Sequence, residues 1–200
     1  MDKNHINIFL SASVPDPRRD PVFYKTADIV AIRDSVRALG TVILMSNKYR
    51  LIWGGHPAIT FMIRELAESL HSEVKQHITL YQSNFFKDQF PKDNESFENI
   101  EFVEPNKDRD TSLYDMRVKM FKDNRFLAGV FIGGMEGVMI EFKLLKKQQP
   151  GIPLYPVHTT GGAARILYDE YDKQLDLPGE LKDDYSYHAM FRRLFKQAGN

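Results

Sequence analysis

Short, wholly apolar runs alternate along this chain with longer stretches whose apolar residues recur every three or four positions. Residues 6–12 (INIFLSA) are apolar and then turn small and polar, as a buried parallel strand does where it meets a loop. The segment 11–21 (SASVPDPRRDP) holds three prolines and is expected to be a loop rather than helix. Over 28–45 the apolar residues Ile29, Ile32, Val36, Leu39 and Ile43 mark an amphipathic helix, with Gly40 as its weak spot. A second strand over 50–53 is broken by Gly54-Gly55, and Pro57 suits the first turn of a helix over 58–70. Further strands are predicted over 77–81, 100–103, 127–132 and 152–157, and further helices over 111–122, 136–148 and 163–171. The polar stretch 83–99, with Phe85, Phe86 and Phe90, reads as an irregular excursion or lid. A last helix over about 186–197 has an apolar face of Met190, Phe191, Leu194 and Phe195, which either packs on the core or meets a second copy. This alternation predicts an α/β fold with a mostly parallel sheet and helices on both faces. No repeat, low-complexity tract or linker interrupts it, so residues 1–200 are expected to form one domain, with a core over 6–172 and a helical extension over 173–200.

Composition narrows the function classes. Lys+Arg and Asp+Glu are both 27, so the net charge is zero and no overall basic field points to nucleic acid or an anionic membrane. No run reaches the roughly 18 apolar residues of a membrane span, and the N-terminal apolar run is too short for a signal-peptide core. With no cysteine, disulfides, thiolate metal sites and Cys nucleophiles are excluded, and a cytoplasmic location is expected. The six histidines (5, 56, 71, 77, 158 and 188) show no metal-binding spacing, and there is no GxSxG elbow. No metal or resident cofactor is expected.

Four strand ends carry the candidate chemistry. They are Ser11-Ala12-Ser13, Gly54-Gly55-His56, Gly133-Gly134 and Thr159-Thr160-Gly161-Gly162. In a parallel sheet the carboxyl ends share one edge, and ligands bind in the crevice there. Helices open at or near these turns, and their free N–H groups suit a phosphate. The alternative is that each is merely a tight strand–helix turn. The sequence contains neither GxxxxGK[ST] nor GxGxxG, so neither standard nucleotide fingerprint applies. Arg18 and Arg19 follow the first strand, where each either reaches a phosphate or is surface charge. Glu136, in the first turn of its helix, either complements the helix dipole or meets ribose hydroxyls. Glu141 either faces solvent or stabilises an oxocarbenium ion or positions water in glycosidic cleavage.

The blocks IFLSASVPDP, LIWGGHPAIT, VFIGGMEGVMIEF and VHTTGGAARIL resemble, in order, the SLOG superfamily of DprA- and Lonely-guy-like proteins. The resemblance spans about residues 6–170 and looks closest to stand-alone SLOG proteins often called TIR-like. It implies a single Rossmann-like three-layer domain. It also implies one of two activities. Lonely-guy enzymes cleave the N-glycosidic bond of nucleoside monophosphates with a PGGxGTxEE motif and an arginine from the preceding helix. Gly133, Gly134 and Gly137 fall near the motif glycines, Glu141 near its glutamates, and Arg117 on the preceding helix. The motif's proline is missing, one extra residue precedes Gly137, and Val138 replaces the threonine. Other SLOG domains are sensors of NAD-derived, ADP-ribose-type nucleotides in bacterial antiphage defence. For this chain the resemblance therefore implies a nucleotide-type ligand. A sensor would act through a separate effector protein or through homo-oligomeric assembly.

Overall fold

The computed structural model describes residues 5–70 and 76–199. His71 lies outside them. Six strands form one sheet: β1 (Ile6–Ser13), β2 (Tyr49–Trp53), β3 (Ile78–Ser83), β4 (Asn99–Val103), β5 (Phe126–Gly133) and β6 (Leu154–Val157). Their order is β4-β3-β2-β1-β5-β6. Every adjacent pair is parallel, so the sheet is wholly and not just mostly so. The chain starts in the middle, steps outward to β4, then returns to the other side of β1 as β5. That reversal opens a crevice beyond the carboxyl ends of β1 and β5, where the two crossovers diverge to opposite faces.

The helices are α1 (Pro21–Tyr24), α2 (Ile29–Leu44), α3 (Pro57–Ser69), α4 (Arg109–Asp123), α5 (Glu136–Gln148), α6 (Gly162–Leu175), α7 (Glu180–Asp183) and α8 (Tyr187–Ala198). Asp28 starts α2 by accepting from the Ala31 N–H at 2.9 Å, and Asp108 starts α4 by accepting from Thr111 at 2.8 Å. Because strand side chains alternate, the sheet builds two cores. Ile8, Leu10, Trp53 and Val130 face α2, α3 and α8, while Phe9, Ile52 and Phe131 face α4, α5 and α6.

Two expectations need correction. The proline-rich segment is not loop throughout: Pro21 begins the short α1, with Asp20 accepting from the Val22 N–H as its cap. Proline blocks a helix interior but is pre-organised for a first turn. Nor is Gly40 a weakness. A Cβ there would stand 2.6 Å from Leu66, so the missing side chain lets α2 and α3 approach closely. The apolar face of the last helix is occupied. Met190, Phe191, Leu194 and Phe195 are all buried in the α2-side core, and the Phe195 ring meets Tyr49 edge-on at 5.5 Å. The stretch after β3 consists of two 3-10 segments, 84–89 and 92–96, with Phe90 stacked on Phe102.

Candidate functional site

A cavity of ≈ 340 Å³ opens at the carboxyl ends of β1 and β2 and the starts of α4 and α5. At one side Ser11 lies buried near the carboxyl end of β1. Its Oγ donates to Glu141 Oε2 at 2.5 Å. Arg117, projecting from α4, donates through Nε to Glu141 Oε1 at 2.9 Å. The two charged side chains are 11% and 13% exposed. Each carboxylate oxygen thus has one donor, and the pair lies in a setting where solvent screens little.

Beyond β2 the backbone turns at Gly55, whose φ of +76° favours glycine, and an added Cβ there would displace the Gln82 amide. The turn brings His56 to the cavity as the residue preceding α3. Its carbonyl accepts from Thr60 N at 2.8 Å, but its side chain caps nothing. Burial, and then the positive charge of Arg19, hold the His56 ring below the usual histidine value.

Of the residues singled out in the sequence, Ser11, Ser13, Gly54, Gly55, His56, Arg117, Glu136, Gly137 and Glu141 line this cavity. Arg18 does not. It points to solvent and pairs with Asp16 at 3.3 Å, and its neighbour Arg19 lines the cavity instead. Gly133 and Gly134 form the corner behind it, where Gly134 N donates to Ser13 O at 2.8 Å. Thr159, Thr160, Gly161 and Gly162 do not line it either. Thr160 is fully buried; its Oγ1 accepts from Gly133 N at 2.8 Å and donates to Val157 O at 2.6 Å. Thr159 Oγ1 shares a hydrogen bond of 2.9 Å with the Tyr187 hydroxyl. Gly161 is packed against the backbone of Thr26, 1.8 Å from where a Cβ would stand. This corner is therefore a buttress for the Gly133 turn.

Sequence reasoning did not pick out Asp20, Arg109, Asp110, Leu113, Met135 and Ile140, which also line the cavity. Arg109, Asp110 and Leu113 sit in the first turns of α4, the helix that follows the carboxyl end of β4, and that position was the available signal. Phe85, Phe86 and Phe90 lie away from the cavity. Among the described residues no three His, Cys, Asp or Glu side chains gather as a metal site, and no helix is long and apolar enough to cross a membrane.

A parallel sheet with helices on both faces, and a cavity at the carboxyl edge where the strand order reverses, make this a Rossmann-like α/β protein. A family model described as the SLOG cluster3 family matches residues 22–195. The chain belongs to that family. It is also similar to the X-ray structure of TM1055, a structural genomics target, with a TM-score of 0.55 and 14% sequence identity over 82% of this chain and 81% of that one. That likeness is one of fold. No curated protein matches the chain.

Proposed function

We propose that the cavity binds a nucleotide or an NAD-derived, ADP-ribose-type ligand, and that the protein is a cytoplasmic sensor of it in a bacterial defence or signalling system. A single observation carries the binding reading: the cavity lies at the topological switch of a parallel sheet, lined by strand-end turns and by the starts of α4 and α5. SLOG membership supports the nucleotide class, and the sensing role comes from the resemblance to SLOG sensors. In this reading the signal passes to a separate effector protein or through assembly of the chain with itself.

The Ser11–Glu141–Arg117 cluster favours a second reading, cleavage of a nucleotide N-glycosidic bond. Two donors hold the Glu141 carboxyl group in one orientation, and a fixed carboxylate stabilises the positive charge that develops on ribose. Arg117, which the family comparison of motifs would place on a phosphate, is already engaged by Glu141. One experiment separates the two readings. The protein is incubated with AMP, NAD and ADP-ribose while released base and melting temperature are followed. A ligand at 100 times its dissociation constant stabilises by about 2.7 kcal/mol. Stabilisation without base release supports the sensor. Release abolished by Glu141→Gln supports the enzyme. Neither effect with any of the three compounds refutes both.

A further inference from the structure

Charge is divided unevenly across the cavity. Glu136 and Glu141 stand on the α5 side, where Arg117 is neutralised by Glu141. Arg19 and His56 also line the cavity, as do Arg109 and Asp110, which pair with each other at 3.8 Å. Asp20 is there too, but its carboxylate accepts from the Val22 N–H at 3.3 Å as the cap of α1. Arg18 is paired with Asp16, whereas Arg19 makes no ion pair among the described residues.

His56 Nδ1 is buried and has no hydrogen-bond partner. A buried N–H left alone is rarer and costlier than a lone acceptor, so the ring proton belongs on Nε2, the nitrogen that is not occluded. No side chain caps the start of α3, and Pro57 supplies no N–H there, so the helix's positive end lies beside His56.

We propose that Arg19, the Nε2–H of His56 and the open end of α3 hold the anionic group of the ligand, with its hydroxyl-bearing part turned towards Glu141. This polarity rests on the nucleotide-binding reading above and adds an orientation to it. The phosphate then sits at Arg19 and His56 rather than beside the carboxylates of Glu136 and Glu141, whose charges would repel it. Depression of the His56 pKa is consistent with a neutral donor rather than a second cation.

The test is calorimetric titration of AMP, adenosine and ADP-ribose into the wild type, His56→Ala, His56→Gln, Arg19→Gln and Glu141→Gln. Equal melting temperatures for the first four proteins establish that the fold is retained. The expected result is that His56→Ala and Arg19→Gln each weaken AMP by about tenfold while leaving adenosine unchanged. His56→Gln, which restores an N–H donor, recovers part of the loss, and Glu141→Gln weakens adenosine as well as AMP. If AMP binds better than adenosine and that preference survives in both His56→Ala and Arg19→Gln, the polarity is wrong and the binding reading stands. If none of the three compounds binds the wild type, both fall together.

Discussion

Replacing Arg117 by methionine keeps most of the side chain's bulk and removes its charge, leaving Glu141 with Ser11 as its one remaining donor. At 11% and 13% exposure neither partner is well screened by water. Deleting one member of a buried ion pair costs about 3–5 kcal/mol, because the orphaned charge stays behind. The Ser11 hydrogen bond persists and the cavity is open on one side, which puts this case at the lower end, about 3 kcal/mol. At ~2–4 °C per kcal/mol for a chain of this size, the melting midpoint falls by about 6–12 °C. Urea unfolding should show the same loss as a lower midpoint with an unchanged slope. Arg117→Met/Glu141→Leu removes both charges together and should regain most of the stability. The reasoning is refuted if Arg117→Met lies within about 0.5 kcal/mol of the wild type, below the range for such pairs. A double variant as unstable as the sum of its singles refutes it equally, since the loss would then come from packing rather than from the stranded charge.

Other consequences are open to direct measurement. Thr160→Val leaves the Gly133 N–H buried without an acceptor, and chemical denaturation should register a loss of about 1–3 kcal/mol. Gly161→Ala drives a methyl into the Thr26 carbonyl at a φ of +67° and should lower stability by more than about 4 kcal/mol, if the protein folds at all. Gly179→Ala, which meets nothing within 4 Å, should change it by less than about 1 kcal/mol; similar losses for the two glycines would contradict the packing argument. Because the His56 pKa is depressed, the unfolded state binds a proton first on acidification. Its contribution is complete above the unfolded value of about 6.5 and is lost as the pH falls through that value towards the folded one. Stability should therefore fall with acid across that window more steeply in the wild type than in His56→Gln, as read from melting curves against pH.

What the sequence revealed depended on how local the controlling interaction was. The strand at 127–132 and the helix at 28–45 were legible because continuous apolar residues and an i, i+3 pattern each describe a segment's own burial. The Ser11 strand end and the Gly54-Gly55 turn were legible for the same reason, since small residues after an apolar run mark a chain reversal. The roles of Arg18 and Arg19 were not, because a single residue of phase inside a short turn decides which of them reaches the cavity. Thr159 to Gly162 looked like another anion-binding turn. Only three dimensions show that Thr26, Gly134 and Tyr187 fill the space around it. The Ser11–Glu141 bond links residues 130 positions apart, a distance at which periodicity carries no information.

The Thr160 corner has a mechanical consequence. Gly133 hangs from Thr160, Thr160 is anchored to Val157, and adjacent Thr159 is fastened to Tyr187 at the head of α8. The glycine turn and the tail helix are thus bolted to the same two threonines. A displacement of the tail is therefore passed to the turn through buried hydrogen bonds of two adjacent residues.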